Sequence, residues 1–331
     1  MAIRTFTTAP YRDTRVKRPD FPLVEALGWF FADAEIEPTT LKAYRSRLTR
    51  FCQWLPENRR VLASLEPETF VRWVRATSTN QNTRMNKIIA GKSFARYLSE
   101  QKLWYGGTMD YRISVLAELK QPQPSERGTP AFTDQEARAV IRVVNEGPNR
   151  LRNVAIVTVL LHGFRAKEAR ELLLRNVIAS KYRETGHFII DAEDQTKRGT
   201  HGVREIPMEE TGKDAIRDYL RVRPRFIGDP SDEPLFLTDD GGAFSREGWT
   251  SMARRLTRLV ERETGIAFKQ HRCRSTSVRQ KHEAGWPDTA NMEVHGWGAN
   301  GWKMLRRYRG TIPVSQLKKY PMALDKVLRA S

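Results

Sequence analysis

The chain is poor in cysteine, with only Cys52 and Cys273 among its 331 residues. They lie far apart and form no CxxC pair, which excludes a disulfide framework and a recognisable zinc site. We expect both to be small buried residues in a reducing, cytoplasmic location. No apolar run reaches about 18 residues, so the sequence predicts no membrane-spanning helix, and its charged start does not resemble a signal peptide.

Acidic residues are also scarce relative to basic ones. Lys and Arg number 57 against 39 Asp and Glu, which gives a formal net charge of +18. Such an excess attracts polyanions, and without a membrane span we prefer nucleic acid to an anionic membrane surface. Hydrophobic residues make up 39% of the chain and eight are Trp, which predicts packed cores rather than a disordered basic tail.

Length and composition predict two domains, because a single core stops growing near about 250 residues. Residues 1–20 form a basic tail, and residues 21–120 show apolar residues at helical spacing with basic residues between them, typical of a helical DNA-binding domain. Residues 121–130 contain three prolines and predict a linker. Residues 131–331 form the second domain.

Helical patterns dominate both domains. Thr39 or Thr40 is the expected N-cap of one N-terminal helix, and a capping box from Thr133 to Glu136 opens the second domain. That domain has one strand-like interruption, at residues 187–208, with a turn in its middle. The sequence therefore predicts a mainly α protein with a small β-hairpin.

Cutting a phosphodiester without a metal needs a nucleophile, cations on the non-bridging oxygens and an acid for the leaving oxygen. The sequence offers no carboxylate cluster suited to Mg²⁺. Arg165 is one candidate cation: it follows Gly163 at a helix-to-helix turn, near amides that favour anions, with Glu168 placed to orient it. A surface arginine before an ordinary helix is the commoner case.

Lys197 lies in a basic turn between the two predicted strands. It can reach a phosphate or a leaving oxygen and, unlike the neighbouring Arg198, can release a proton near neutral pH. A solubilising turn is the commoner fate of such a lysine.

His271 and Arg274 lie three residues apart on a predicted helix that Gly285 closes, so both project from one face. Both would need partners if buried, and a solvated basic face is the alternative. Tyr308 lies among three arginines, which favour the ionised phenol and attract DNA, although alone it is more typical of an aromatic anchor. His295-Gly-Trp297 precedes it.

Taken in order, these residues resemble the catalytic series of the tyrosine recombinase (phage integrase) family: Arg, Lys on a β-hairpin, His-x-x-Arg, Gly followed by His or Trp, and Tyr. The resemblance covers residues from about 129 to the end and, more loosely, the N-terminal helices. Local contexts match as well: Gly-Phe-Arg165-x-x-Glu168, Thr-Lys197 before Arg204-Glu-Ile-Pro207, and His271-x-x-Arg274 before Glu283-Ala-Gly285.

Two assignments depend on spacing. The family places His or Trp about 23 residues after the second arginine; Trp297 fits and follows a glycine, and His295 is the second choice. Trp297 and Tyr308 are 11 residues apart, about two more than is usual in the family, which indicates an insertion within residues 298–302. Tyr320 precedes a proline, lies too far downstream and ranks well behind Tyr308.

The resemblance implies that Tyr308 attacks the scissile phosphate and forms a 3′-phosphotyrosyl bond. Arg165 and Arg274 would clamp the non-bridging oxygens, and Trp297 would contact the phosphate. Lys197 would protonate the leaving oxygen, while His271 would assist proton transfer at the tyrosine. No metal, ATP or other cofactor is implied.

The implied fold is a helical core-binding domain followed by a mainly helical catalytic domain with a small β-sheet or hairpin. The implied partner is double-stranded DNA, held by a homotetramer that exchanges strands through a Holliday junction, with accessory DNA-bending proteins as further partners. A tail helix at residues 314–328 would dock on a neighbouring subunit. The expected location is the prokaryotic cytoplasm or nucleoid.

Three alternatives share parts of this pattern: a type IB topoisomerase, a telomere resolvase, and a DNA-binding protein with a decayed active site. Strand exchange between two duplexes would separate the first, and a covalent DNA adduct would exclude the last. The sequence leaves open the DNA target and the choice among integration, excision, inversion and dimer resolution.

Overall fold

The computed structural model of the chain describes residues 21–100, 116–120, 129–178, 188–192, 204–298 and 301–309. The chain divides into two compact units, residues 1–126 and 127–331. The predicted basic tail, most of the predicted linker, the turn that carries Lys197 and the predicted tail helix lie outside the described residues. Within the described ranges, no helix is both long enough and apolar enough to cross a membrane.

The first unit is built from helices α1 (Leu23–Asp33), α2 (Pro38–Trp54), α3 (Pro67–Ala76) and α4 (Gln81–Glu100). Aromatic rings fill its core. Phe51, Phe70 and Trp73 are almost fully buried, and their ring centroids lie 5.0 to 5.3 Å apart. Tilted and edge-on aromatic pairs at this distance add to the free energy of area burial, so they hold α2 against α3.

Helix α2 begins earlier than the sequence predicted. Its N-cap is Glu37, whose carboxylate accepts hydrogen bonds from the Thr40 amide at 3.0 Å and from the Thr39 hydroxyl at 2.5 Å. The prediction of a threonine cap was wrong because Pro38 is preorganised for the first helical position and so moves the cap back to residue 37. The glutamate then satisfies the amide that a threonine cap would have served.

Two glycines of the first unit should respond in opposite ways to alanine. A Cβ at Gly91 would lie 2.4 Å from Cζ of Phe70, whose ring is held by its neighbours Phe51 and Trp73. We expect Gly91→Ala to lower the free energy of unfolding by about 1–3 kcal/mol through overpacking. At Gly28 nothing lies within 4 Å, so Gly28→Ala should raise it by about 0.5–1 kcal/mol. Urea unfolding of both variants beside the native protein measures the difference, and a stabilising Gly91→Ala would contradict the packing.

The second unit is mainly helical. Its helices are α5 (Asp134–Glu146), α6 (Arg150–Leu161), α7 (Ala166–Glu171), α8 (Leu174–Ile178), α9 (Glu210–Leu220), α10 (Arg246–Thr264), α11 (Gln270–Glu283), α12 (Asp288–Val294) and α13 (Trp302–Arg309). Strands β1 (Phe188–Ala192) and β2 (Arg204–Met208) pair antiparallel, with Phe188 opposite Met208. The mainly α fold with a small hairpin is therefore confirmed.

Helix α6 is the centre of this unit. It packs against α5, α9 and α11, and its residues 155–160 are all buried. A helix that is apolar on every side needs neighbours on every side, and these three helices supply them. Because α6 is fixed on all sides, the turn that follows it, which carries Arg165, has a rigid base.

The sequence predicted one interruption of the helices, and a second one exists. Residues 221–245, between α9 and α10, run mostly without helix and form an isolated β-bridge between Leu237 and Ala243. Leu235, Phe236 and Leu237 are fully buried there. A short apolar run without clear periodicity does not distinguish a strand from a helix, so the pattern alone could not place it.

Candidate active site

Arg165 lies at the sharp turn after α6. Gly163 has φ of 111°, a backbone conformation that L side chains rarely adopt, and Arg165 is the N-cap of α7. The buried carboxylate of Glu168 accepts a hydrogen bond from the Arg165 amide at 2.5 Å and a second from its guanidinium Nη1. The predicted orientation of Arg165 by Glu168 is confirmed.

Helix α11 is polar in sequence yet buried through most of its middle. Residues 272–278 are all buried, so a solvated basic face is excluded for them. Buried polar groups need partners, and these have them. The Thr276 hydroxyl accepts from the Phe132 amide at 2.8 Å, and Arg272 donates to the carbonyls of Pro130 and Ala131. The helix is thereby fixed to the segment that opens the second unit, while His271, at its start, stays exposed.

Arg274 is only 2% exposed, and its guanidinium is held by main-chain carbonyls. Nη1 donates to the carbonyl of Gly163 and Nη2 to that of His295. Arg165 Nη2 also donates to the His295 carbonyl, at 3.3 Å, and to that of Gly296 at 3.3 Å. Two arginines from distant parts of the sequence therefore meet at one carbonyl oxygen.

The His295 carbonyl is available because α12 ends there in a Schellman motif. Gly296 has φ of 60° and donates to the Glu293 carbonyl at 2.8 Å, while Trp297 donates its amide to Met292 at 2.9 Å. His295 is fully buried. Its ring stacks on that of Trp297 with centroids 5.2 Å apart.

Trp297 itself faces the arginines. The Cζ atom of Arg274 lies 5.4 Å from the centroid of the indole ring, a cation–π distance. Trp297 rather than His295 is thus the residue that borders the open space, since the imidazole lies behind it.

Helix α13 packs on this assembly through Leu305, which is buried with Val278 and Met292. Met304, on the preceding position, lines the open space beside the arginines. Tyr308 lies in the last turn of α13, four residues after Met304. Of the predicted insertion, residues 299–300 lie outside the described part of the chain.

These elements surround a cleft of about 550 Å³. It brings together four predicted site residues, Arg165, His271, Arg274 and Trp297. The other lining residues are Phe164, Ala166, Lys167, Gln270 and Met304. Within the described ranges, no group of three or more His, Cys, Asp or Glu side chains is placed to hold a metal ion.

The sequence did not single out the polar groups behind this cleft. Ser277 and Lys281 follow Arg274 at steps of three and four residues, so they continue its side of α11 into the interior. Lys281 donates to the Ser277 hydroxyl at 2.8 Å. The sequence does contain a signal for these residues, since they are polar and lie at helical spacing from a candidate catalytic arginine. The same pattern is typical of an exposed helix face, so it did not indicate burial.

Lys281 should give the protein a measurable pH dependence. Burial disfavours the ammonium form of Lys281 and lowers its pKa to about 8. The charge of Glu209 raises this pKa in part, and the charge of Arg274 lowers it further. In the unfolded chain the lysine titrates near 10.5, so between pH 8 and 10.5 the unfolded state binds more protons. The free energy of unfolding therefore gains a contribution that rises with pH across this window, by at most about 3 kcal/mol.

We expect Lys281→Met to remove that rise, because methionine does not titrate. The measurement is urea unfolding of the native and variant proteins at several pH values inside the window. Equal pH slopes for the two proteins would show that Lys281 is not buried as described.

Comparisons with known proteins agree with this architecture. The sequence model of the Phage integrase family matches residues 130–310, more than half of the chain, and that of the Phage integrase N-terminal SAM-like domain matches residues 30–102. No curated protein sequence matches the chain.

Solved structures show the same fold. The Tn1549 transposon integrase in complex with circular intermediate DNA superposes with a TM-score of 0.66 at 18% identity, over 90% of this chain and 98% of that chain. A lambda integrase dimer bound to a COC′ core site gives 0.64 at 13% identity, over 87% of this chain and 94% of that chain.

The residues that match the Phage integrase family model include the cleft. The matched range, residues 130–310, begins at the segment fixed to α11 and ends just after α13, so every residue that lines the cleft lies inside it. The family inferred from the ordered motifs is thereby confirmed. The chain belongs to the phage integrase family and is a site-specific tyrosine recombinase, an enzyme that cleaves and rejoins DNA.

Proposed function

We propose that Tyr308 is the nucleophile of this tyrosine recombinase. Its phenol oxygen attacks the scissile phosphorus, the bond from phosphorus to the 5′ oxygen breaks, and a 3′-phosphotyrosyl bond forms. The position of Tyr308 supports this role, since it follows Met304 of the cleft by one turn of α13. The energy of the broken bond is kept in the covalent intermediate, so rejoining needs no ATP.

Arg165 and Arg274 clamp the non-bridging oxygens. The observation that carries the proposal is their convergence on the His295 carbonyl at the wall of an open cleft. A fixed guanidinium stabilises the charge that builds on a phosphate in the transition state without reorganising during the reaction. Trp297, which borders the same cleft, contacts the phosphate in preference to His295, which is buried behind it.

Proton transfer is assigned to two further residues. His271 is exposed and lines the cleft, where it exchanges a proton with the tyrosine. Lys197 protonates the leaving 5′ oxygen. It lies outside the described residues, between β1 and β2 in the sequence. Strand β2 packs against α12, the helix that leads to His295 and Trp297.

The parts of the chain take the following roles in the proposal. Residues 1–20 are a basic tail, residues 21–120 bind the DNA core site, residues 121–130 are a linker, and residues 131–331 form the catalytic domain. Double-stranded DNA is the substrate. Two integrases of similar fold support DNA as the partner, one in complex with circular intermediate DNA and one bound to a core site. Four copies hold two duplexes and exchange strands through a Holliday junction, with the tail helix on a neighbouring copy, in the prokaryotic cytoplasm or nucleoid.

A nicked suicide substrate tests the proposal. Cleavage near the nick releases a short fragment that carries the 5′-hydroxyl and diffuses away, so rejoining stops, the covalent adduct accumulates and its rate of formation reports the chemical step. We expect the native protein to form the adduct without added metal or ATP, and peptide mapping to find the DNA on Tyr308. DNA attached to Tyr320, or no adduct on any family-type core site, would overturn the assignment.

Strand exchange separates recombination from simple relaxation. With two differently labelled duplexes that carry the same site, a recombinase produces molecules with both labels. A topoisomerase of type IB would relax supercoiled DNA and leave the labels unmixed.

A further inference from the structure

Behind the cleft, polar side chains form a chain of hydrogen bonds that leads to His295. Lys281 Nζ lies 2.8 Å from the Ser277 hydroxyl, which lies 3.2 Å from Nε2 of His295. On the other side of the ring, Nδ1 lies 2.8 Å from the carbonyl oxygen of Asn291. Ser277 and His295 are 1% and 0% exposed, so solvent does not supply these partners.

The direction of every bond follows from chemistry. The Asn291 carbonyl can only accept, so Nδ1 of His295 carries the proton and Nε2 is an acceptor in the neutral ring. The Ser277 hydroxyl must then donate to Nε2. Its oxygen is left to accept from Lys281, which has only donors when charged. Both ring nitrogens are thereby occupied and the imidazole cannot rotate.

The C-cap of α12 directs the main-chain carbonyl of His295 toward the arginines, and the fixed ring anchors the same residue in the interior. That oxygen accepts from Arg274 Nη2 and from Arg165 Nη2, so it lies between two positive groups that repel each other. Two further contacts restrict the imidazole ring. It stacks on Trp297, and Gly163 approaches so closely that a Cβ there would lie 2.9 Å from Nε2. A shift of the ring would therefore move the acceptor on which both guanidinium groups are aligned.

We propose that His295, held by Ser277 and Lys281, is a positioning residue that sets the distance between Arg165 and Arg274 through its main-chain carbonyl. It touches no substrate and acts only through the arginines. The proposal rests on the function proposed above for those arginines. Ser277 and Lys281 take part in the same arrangement, because they hold Nε2 and so fix the orientation of the ring, while the Asn291 carbonyl fixes its tautomer.

The chain offers a matched pair of variants. Ser277→Ala removes the hydroxyl that holds Nε2. Ser275→Ala removes an equally buried hydroxyl of the same helix, whose bond within the described residues goes to the main-chain carbonyl of His271, one turn earlier. The measurements are the rate of adduct formation on the nicked substrate, the affinity for DNA and the thermal unfolding of each variant.

We expect Ser277→Ala to slow adduct formation by about tenfold to a hundredfold, because a misplacement of about 1 Å in an active site can cost about a hundredfold in rate. DNA affinity should not change, and Ser275→Ala should cleave like the native protein. In an Arg274→Lys background the same Ser277→Ala change should cost much less, because a residue that acts through Arg274 has little left to position.

Two results would overturn the proposal: native-like cleavage by Ser277→Ala, or an equal loss in the native and Arg274→Lys backgrounds. If Ser277→Ala does not fold, Lys281→Met takes its place, with the same cycle and the same criteria. A native protein that forms no adduct would instead contradict the proposed function, so the two failures are distinct.

Discussion

Replacing Tyr308 by phenylalanine should abolish the covalent protein–DNA adduct while leaving the affinity for DNA unchanged. The substitution removes one oxygen from the last turn of α13 and keeps the ring. Loss of a nucleophile in a covalent mechanism costs about 10⁶-fold in rate, which is beyond what a suicide-substrate assay detects. Gel separation of the adduct and a binding titration on the same DNA give both quantities.

Tyr320→Phe is the matched control. It makes the same chemical change at the only later tyrosine and should leave the adduct rate at the native level. Should Tyr308→Phe still form the adduct while Tyr320→Phe does not, the nucleophile would be Tyr320, and the cleft beside α13 would need another role.

Arg274→Lys should lower the rate of adduct formation by about 10² to 10³, the typical cost of losing one fixed donor to a developing charge. The guanidinium of Arg274 is a planar fork that bonds the carbonyls of Gly163 and His295 and borders the cleft at the same time. A lysine ammonium is a single point of charge and cannot reproduce that geometry. The readout is the single-turnover rate on the nicked substrate.

Arg272→Lys is the control variant that separates an effect on the cleavage rate from an effect on stability. Arg272 is also buried on α11 and also bonds main-chain carbonyls, those of Pro130, Ala131 and Ala267, but it does not line the cleft. Both variants should lose stability, by about 1.5–3 kcal/mol for each hydrogen bond of the charged group that is lost. Only Arg274→Lys should lose cleavage at a temperature where both are folded; equal losses of cleavage would assign a purely structural role to Arg274.

Much of the architecture could be predicted because it depends on local patterns. The predicted capping box at Thr133 and Glu136 is present, and both domains have the predicted mainly helical structure. Both strands of the hairpin lie inside the predicted strand-like segment, residues 187–208. Caps and periodicity act over a few residues, and a sequence displays them directly.

The site could be assembled only in part. The order of the residues predicted that Arg165 and Arg274 belong together, but not that the His295 carbonyl joins them. Main-chain acceptors carry no sequence signal, since every residue has one. The burial of α11 was likewise hidden, because Ser and Arg are mostly exposed in proteins, and only long-range contacts such as that of Thr276 with Phe132 decide otherwise.

The burial of both thiols makes the enzyme well suited to site-directed labelling. Burial raises the pKa of Cys273 to about 12 and also raises that of Cys52, so neither presents a reactive thiolate at neutral pH. A maleimide dye should therefore leave the native protein unmodified. One cysteine introduced at the exposed position of Val222 would then carry all of the fluorophore, and energy transfer between labelled copies would report their assembly on DNA in real time.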